Sequence, residues 1–333
     1  MNFLQSAVKA ERGETERSFL GEDSEVFRFA ENAAVRKILL NKEIIMNMIK
    51  KIAAAVSAAI LALSLAACSG TESGSGNSGS SENGNYRTVD EIKSEGKISI
   101  GVFSDKMPFG YVDNEGEYQG YDVYFARRIA QDLNVELELV PVEAASRVEF
   151  LQTGKVDIIL ANFTVTEERA KQVDFALPYM KVALGVVSPD SAVISSADEL
   201  NGKTLIVVKG TTAETYFTEN YPNVKLQKYD EYNEAYSALQ DGRGDAFSTD
   251  NTEVLAWAMS NPGFTVGVES LGSVDAIAPA VTKGNEELLT WLNEEIKSLA
   301  DEQFFHADYD ATLASVYGDT VDKDNLVVEG GQM

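Results

Sequence analysis

The chain has 333 residues, which is enough for two domains, and its hydrophobic fraction of 44% is typical of a globular protein. Its formal net charge is −25, and residues 68–333 hold 19 Lys and Arg against 45 Asp and Glu. Such an acidic surface repels nucleic-acid phosphates and anionic membranes, so the composition argues against both as partners.

The first element predicted along the chain is an export signal. Lys50 and Lys51 precede residues 52–67, an apolar run that would span about 24 Å as a helix, short of the bilayer core of about 30 Å. A basic segment, a short apolar core and small residues before a break are typical of a signal peptide. The break is the sequence LAAC, which ends at Cys68 and matches the bacterial lipobox. We therefore expect Cys68 to be acylated as the mature N-terminus; the alternative is a free Cys after an ordinary signal peptide.

The position of this signal is unusual. Signal peptides start near the N-terminus, yet 49 residues precede Lys50. Met46 and Met48 stand just before the basic pair, and we expect one of them to be the true start. Residues 1–67 are thus an upstream extension plus a lipoprotein signal peptide, and the extension over residues 1–45 is doubtful.

A flexible tether is predicted after Cys68. The segment from Ser69 to Asn85 consists of Gly, Ser, Thr, Asn and Glu, with no apolar residue. A chain of this length and composition has a root-mean-square span of roughly 20–25 Å. We expect residues 68–87 to hold a folded module away from a membrane surface while leaving it free to turn.

The folded module alternates between predicted strands and helices. The predicted strands are 97–103, 135–140, 156–161, 204–208, 224–228, 245–248 and 276–282. The predicted helices are 120–134, 147–153, 231–240 and 285–301. Such alternation implies parallel sheets with helices on both faces, and its restart after Pro189 indicates two lobes. Ligands on sheets of this kind bind outside the carboxyl ends of the strands.

Two candidate ligand-binding residues follow the predicted strand 156–161. Thr164 offers a hydroxyl donor, and Arg169 offers a planar guanidinium that fits a carboxylate through two parallel hydrogen bonds. The alternative is purely local: Thr166 caps a short helix and Arg169 pairs with a neighbouring glutamate on its surface. The spacing of the residues alone does not favour either interpretation over the other.

The loop Gly210-Thr211-Thr212 occupies the corresponding strand end in the second lobe. Gly210 permits close approach of the backbone, and the helix that follows offers free N–H groups to an anion. A capping box between Thr211 and Glu214 is the structural alternative, and both can hold together.

Asp250, after the strand 245–248, is a strand-end carboxylate suited to an ammonium group. Its alternative role is the N-cap of the next helix. The sequence shows no nucleophile–base set, no HExxH motif and no Cys/His cluster, so neither a cofactor nor a metal is expected. The lone His306 is predicted to be a packed or surface residue rather than a general base, and Tyr232 a packing aromatic.

A series of short motifs extends from about Lys97 to Gly318. The motifs are, in order, Gly101-Val102, Pro108-Phe109, Gly120-Tyr121-Asp122, LQTGKVD ending at Asp157, Thr166–Arg169, Asp174-Phe175 with Pro178-Tyr179, Gly202-Lys203, Gly210–Thr212 and Asp250. Each motif is weak by itself, but their order and spacing resemble the family 3 bacterial extracellular solute-binding proteins, the amino-acid receptors of ABC importers.

The resemblance implies an α/β fold of the type II periplasmic-binding-protein kind, in which two α/β lobes are joined by two strands that cross near residues 186 and 279. Lobe 1 is expected at 88–185 and 280–325, and lobe 2 at 188–277.

The resemblance also implies roles for the site residues. Arg169 would hold the ligand's α-carboxylate, helped by Thr164 and by backbone amides at Thr212, and Gly210 and Thr211 of the same loop are also counted as ligand-binding. Asp250, together with Asn162, would take the α-ammonium. Phe103, Lys106, Phe109 and Arg147 would fall near the ligand's side chain, although Arg147 also fits a surface helix charge.

The predicted function is a lipid-anchored extracytoplasmic receptor of an amino-acid ABC importer that closes on a polar amino acid. Cysteine is favoured because several segments look closest to the cysteine-receptor branch, and glutamate or aspartate comes second. The expected partners are the amino acid and the ABC permease subunits, with membrane contact only through the lipid anchor, and the protein is expected to be a monomer. The alternatives are a dehydratase-like enzyme on the same fold and a tethered amino-acid sensor.

Overall fold

The computed structural model describes residues 85–333. The predicted signal peptide, Cys68 and all but the last residues of the tether lie outside these described residues. The strands are β1 (Lys97–Val102), β2 (Asp105–Lys106), β3 (Gly110–Val112), β4 (Tyr118–Gln119), β5 (Glu136–Pro141), β6 (Ile158–Ile159), β7 (Val173–Phe175), β8 (Met180–Pro189), β9 (Thr204–Val208), β10 (Lys225–Tyr229), β11 (Ala246–Asp250), β12 (Phe264–Ile277) and β13 (Ala280–Thr282). The α-helices are α1 (Val89–Glu95), α2 (Tyr121–Leu133), α3 (Arg147–Gln152), α4 (Glu167–Ala170), α5 (Thr212–Asn220), α6 (Tyr232–Gln240), α7 (Asn251–Ser260), α8 (Glu286–Ala300), α9 (Phe304–Thr312), α10 (Ala314–Tyr317) and α11 (Lys323–Leu326). Within this part of the chain no helix is both long and apolar enough to cross a membrane.

The first lobe is built on a five-stranded sheet in the order β5-β1-β6-β13-β7. Strand β1 is parallel to β5 and β6, and β13 runs antiparallel to β6 and β7. Helix α2 packs on β1 and β5, and its buried Phe125 contacts Phe305 from α9 edge to face. A small three-stranded sheet, β2-β3-β4, extends from this lobe.

The second lobe is built on a sheet in the order β10-β9-β11-β8-β12. Strand β9 is parallel to β10 and β11, whereas β8 is antiparallel to β11 and β12. The long strands β8 and β12 pair with each other and carry the chain between the two lobes. They are the two crossing strands that the resemblance predicted: residue 186 lies in β8, and residue 279 lies just after β12.

The sheets differ in two ways from the prediction of parallel strands. In the two five-stranded sheets, β8 runs antiparallel to β11 and β12, and β13 runs antiparallel to β6 and β7. The chain passes between the lobes along β8 and β12 instead of through a helical crossover, and β13 follows β12 directly. The predicted strand 276–282 is in fact the end of β12 and the separate β13, with Ala278 and Pro279 between them. Pro279 has no backbone N–H to give to a ladder, which is consistent with the break.

Most other predicted elements are confirmed. The four predicted helices correspond to α2, α3, α6 and α8, with ends that agree within one residue. The predicted strand 156–161 is shorter than expected: only Ile158 and Ile159 pair with both β1 and β13. The flanking residues are buried without strand geometry, because an apolar run indicates burial more directly than it indicates pairing.

The two lobes are closed on each other. One cluster of buried apolar residues includes Phe103 and Phe163 from the first lobe together with Ile206, Tyr232 and Phe247 from the second. The rings of Phe103 and Tyr232 meet edge to face, with centroids 5.4 Å apart. The strand ends of both sheets are therefore brought to one shared interface.

Candidate functional site

Arg169 points across the interface between the lobes. Its guanidinium donates to the carbonyl oxygen of Thr164 at 2.7 Å and to that of Gly210, in the second lobe, at 2.9 Å. The hydroxyl of Thr166 accepts a hydrogen bond from the Arg169 backbone N–H, so Thr166 does cap the short helix α4. Arg169 forms no ion pair with a neighbouring glutamate among the described residues, so only the capping half of the local interpretation is correct.

Arg147 is buried beside Arg169. Its guanidinium donates to backbone carbonyls only: those of Ala144, Ala161 and Asn162 in the first lobe and that of Gly210, at 3.1 Å, in the second. The side chain is not a surface charge, since the residue is 3% exposed. A single carbonyl, that of Gly210, therefore receives both arginines.

Neither arginine has an acidic partner in residues 85–333, although Arg147 is buried and Arg169 is half-buried. Burial lowers the pKa of Arg147 to about 9, and the neighbouring Arg169 adds to the shift. Burial also lowers the pKa of Arg169, while Asp250 acts in the opposite direction on both groups. Both guanidinium groups lie on the ring of Phe163, at 4.3 Å and 4.9 Å from its centroid. The arrangement favours an anion, because two neighbouring positive charges, one of them buried, destabilise each other until a negative charge binds.

The loop that holds Gly210 is shaped by its own helix. Thr211 caps α5 by accepting from the Glu214 N–H, and its hydroxyl donates to the Val208 carbonyl. The Glu214 carboxylate reaches back to the Gly210 N–H at 2.7 Å. Thr212 is the first residue of α5, and its N–H has no acceptor among the described residues, as an anion-binding helix end requires.

Gly210 permits the close contact between the lobes. Its φ of +73° is in the left-handed region, and a Cβ added there would lie 2.5 Å from the Ala145 Cα of the first lobe. Only a residue without a side chain lets the two backbones approach this closely. The sequence predicted that Gly210 permits close approach of the backbone, and in the structure it is the backbone of the first lobe that approaches Gly210.

Asp250 lies in a buried ionic cluster that includes residues to which the sequence assigned no role in binding the ammonium group. Asp250 occupies the N-cap position of α7 but makes no side-chain cap hydrogen bond. Its Oδ2 instead accepts from the Lys106 ammonium at 2.9 Å, and Glu253 Oε2 lies 2.7 Å from the same nitrogen. Lys106 also donates to the Tyr232 hydroxyl. Tyr232 is therefore at the site, which corrects its prediction as a packing aromatic without a special role.

Glu253 gave no recognisable signal in the sequence. It stands three residues after Asp250, which is the spacing of a helix capping box, so the sequence pattern assigns it to the helix end. It is 1% exposed, and burial raises its pKa to about 7 despite the attraction of Lys106.

Asn162 has an unusual backbone and an unsatisfied side chain. Its φ is +45°, and its N–H donates to Asp122 Oδ2 at 2.7 Å. The other Asp122 oxygen accepts from the Tyr179 hydroxyl, and burial raises the pKa of Asp122 to about 6. Both polar atoms of the Asn162 amide are buried with no partner in residues 85–333, so they are available to a bound molecule.

The remaining predicted residues separate into two groups. Thr164 is buried beside Arg169, and Phe103 lies 5.5 Å from the Arg147 guanidinium. The ring of Phe109, by contrast, belongs to the core cluster of the first lobe that contains Tyr121 and Phe125. The structure thus brings Phe103 and Thr164 to the arginines and places Phe109 in the first-lobe core.

Two cavities lie near this region. One of about 440 Å³ lies between the lobes, lined by Phe103 and Asp105 on one side and by Glu231 and Tyr232 on the other. Another of about 510 Å³ is lined by residues of the crossing strands, including Lys181 and Val274, and by none of the predicted site residues. No cluster of acidic, His and Cys side chains suited to a metal ion is found among residues 85–333.

Comparison with known proteins agrees with this architecture. Residues 98–310 match the family described as bacterial extracellular solute-binding proteins, family 3. The ABC transporter glutamine-binding protein GlnH of Bacillus subtilis is 30% identical over 255 residues, which are 75% of this chain and 92% of that protein.

Two solved structures are more similar in sequence. A cysteine-binding protein from Campylobacter jejuni is 54% identical with a TM-score of 0.71, over 72% of this chain and 98% of that one. A solute receptor for L-cysteine from Neisseria gonorrhoeae is 51% identical with a TM-score of 0.72, over 73% of this chain and 100% of that one.

Proposed function

This chain belongs to the bacterial extracellular solute-binding proteins of family 3, and from that premise we propose that it is a receptor for L-cysteine. It has the type II periplasmic-binding-protein fold and is an amino-acid-binding receptor of ABC transporters rather than an enzyme. The ligand, the residues that hold it and the anchoring of the protein are our inferences.

The observation that carries the proposal is the pair of arginines at the closed interface, of which Arg147 is buried and Arg169 is half-buried. Arg147 and Arg169 share the carbonyl of Gly210 and have no carboxylate partner within residues 85–333. Asp250 lies on the opposite side of the same interface. An amino acid brings one carboxylate and one ammonium, and these charges complement one arginine fork and one acid.

We assign the ligand's α-carboxylate to Arg169, the Thr164 hydroxyl and the free N–H of Thr212 at the start of α5. The α-ammonium is assigned to Asp250 and to the unpartnered amide oxygen of Asn162. Gly210 and Thr211 shape the loop that presents the Thr212 N–H. Because the contacts come from both lobes, the ligand favours the closed state through interactions that the open state lacks.

The side chain of the ligand is assigned to the region of Phe103 and Arg147, with Phe109 supporting it from the first-lobe core. This surface offers one aromatic ring and one cation, which suits a small polar or ionisable group such as a thiol. The similarity to two proteins described as cysteine-binding supports cysteine over an acidic amino acid, which remains the second candidate.

We further propose that the protein acts outside the cytoplasmic membrane, attached through lipidated Cys68 and the tether of residues 68–87. In this scheme it is a monomer that delivers its ligand to ABC permease subunits. Its lobe boundaries are proposed at 88–185 with 280–325 and at 188–277.

A thermal-shift and calorimetry panel tests the ligand assignment. The purified protein is titrated with each of the twenty amino acids under reducing conditions, and separately with cystine without a reductant. L-cysteine should give the largest rise in melting temperature, since a ligand present at 1,000 times its Kd stabilises the fold by about 4 kcal/mol. A larger shift with glutamate or aspartate would replace cysteine, and no shift with any amino acid would overturn the receptor proposal.

A further inference from the structure

Lys106 is a buried lysine of the first lobe whose ammonium lies among carboxylates of the second lobe. Its side chain is 1% exposed, and its Nζ is 2.9 Å from Asp250 Oδ2 and 2.7 Å from Glu253 Oε2. Neither carboxylate pairs with another cation in residues 85–333. The other oxygen of Asp250, Oδ1, has no hydrogen-bond donor within the same residues.

The residue before Lys106 also docks on the second lobe. Asp105 Oδ2 accepts from the backbone N–H of Tyr232, the first residue of α6, at 2.7 Å. Glu231, the N-cap residue of that helix, makes no side-chain cap hydrogen bond, so Asp105 caps it from the other lobe. The short strand β2 thereby delivers Lys106 to a fixed position at the closed interface.

Asp250 and Glu253 have the spacing of a helix capping box that the closed structure does not use. Asp250 is the N-cap residue of α7 and Glu253 its third residue, yet the Asp250 side chain makes no cap hydrogen bond. The comparable pair Thr88 and Glu91 forms a complete box at α1. What distinguishes α7 is the cation from the opposite lobe, toward which both of its carboxylates turn.

We propose that Lys106 is a positioning residue that converts the N-cap of α7 into an ammonium-binding carboxylate when the lobes close. In the open protein Lys106 leaves with the first lobe, and the Asp250 side chain returns to cap α7. In the closed protein Lys106 holds Oδ2, Glu253 compensates the lysine charge, and Oδ1 faces the ligand. This inference depends on the proposed function, because it takes Asp250 as the acceptor of the α-ammonium.

The test compares two ligands that differ by the ammonium group. Lys106→Met keeps an unbranched side chain without the charge, and calorimetry measures its affinity for L-cysteine and for 3-mercaptopropionate, which lacks the α-amino group. The expected result is a loss of tenfold or more for L-cysteine and of less than twofold for 3-mercaptopropionate. The control Lys97→Met removes an exposed lysine paired with Glu138 and should change neither affinity.

A second variant and a structure cover the case in which Lys106→Met fails to fold. The double variant Lys106→Met/Glu253→Gln removes both charges of one buried pair and should show the same loss, selective for L-cysteine. In a ligand-free crystal structure of either variant, the Asp250 carboxylate should accept from a backbone N–H in the first turn of α7.

The possible outcomes separate this inference from the proposed function. Equal losses for the two ligands would mean that Lys106 only holds the lobes together, and unchanged affinities would mean that it has no role; either overturns the inference alone. Absence of L-cysteine binding by the unmodified protein would overturn the cysteine assignment as well.

Discussion

Arg169 and Arg147 show how differently two residues of the same type can be predicted. Arg169 follows a buried strand, and a strand end of an α/β sheet is where ligands bind, so its position makes it a candidate, which the family resemblance then favours over a local helix role. Arg147 opens a short helix, where a charged residue most often faces solvent. Its guanidinium instead donates to backbone carbonyls of three separate segments, at Ala144, Asn162 and Gly210, and no sequence pattern within α3 predicts these contacts.

Replacement of Arg169 tests the carboxylate assignment. Arg169→Lys keeps the charge but loses the planar fork, and we expect L-cysteine to bind about 10- to 100-fold more weakly, or roughly 1.4–2.7 kcal/mol. Arg169→Ala should abolish binding measured by calorimetry and leave the fold intact by circular dichroism. Arg243→Ala, at an exposed arginine of the second lobe, serves as the control. Retained affinity in Arg169→Ala would remove this residue from the site.

At the scale of elements, the sequence patterns identified helices better than strands. The amphipathic spacing of α2 or α8 depends only on neighbouring residues and is strong enough to define both ends. The strand β8 was located only through the family resemblance, and the sequence pattern found only the last two residues of β12. They are long, bulged and antiparallel, and their pairing joins residues about eighty positions apart, such as Val187 with Val266.

The loop before α5 yields a prediction with a matched control. Gly210→Ala would place a Cβ 2.5 Å from the Ala145 backbone, whereas Gly242→Ala, at a φ of +69°, would meet nothing within 4 Å. Both substitutions strain a left-handed residue and should lower the free energy of unfolding by about 1 kcal/mol. Only Gly210→Ala should weaken L-cysteine binding more than tenfold, because it alone obstructs closure.

Urea unfolding and calorimetry on the two alanine variants measure these effects. Equal affinities in Gly210→Ala and Gly242→Ala would show that the close contact between Gly210 and Ala145 is not needed for binding.

At the scale of the whole molecule, closure buries ionisable groups that an open form would expose to water. Lys106, Asp250 and Glu253 meet only because the two lobes are in contact. Burial raises the pKa of Glu253 to about 7, so the folded protein binds a proton there that the unfolded chain releases near its ordinary value of 4.5. The stability of the molecule is thereby linked to pH.

The sign of this linkage gives a whole-molecule prediction. For a carboxyl with a raised pKa, the contribution to stability is fully present below pH 4.5 and is lost as the pH rises through about 7. The unmodified protein should therefore lose roughly 3 kcal/mol relative to Glu253→Gln between pH 4.5 and pH 8. Urea unfolding across this range measures the difference, with the exposed Glu294→Gln as control. If the difference in free energy of unfolding between the unmodified protein and Glu253→Gln stays constant across this pH range, the raised pKa of Glu253 is contradicted.

The sequence by itself determined the α/β class, the order of most elements, the family, and Arg169, Gly210 and Asp250 as candidate site residues. These features depend on periodicity, strand ends and motif spacing, all of which are local properties of the chain. Only the tertiary structure decided that Arg147 is buried beside Arg169, and that Lys106 joins Asp250 from 144 positions away along the chain. Those contacts form because the two lobes close on each other. They could not be predicted from the sequence, because local spacing does not indicate which distant charged residues become buried together.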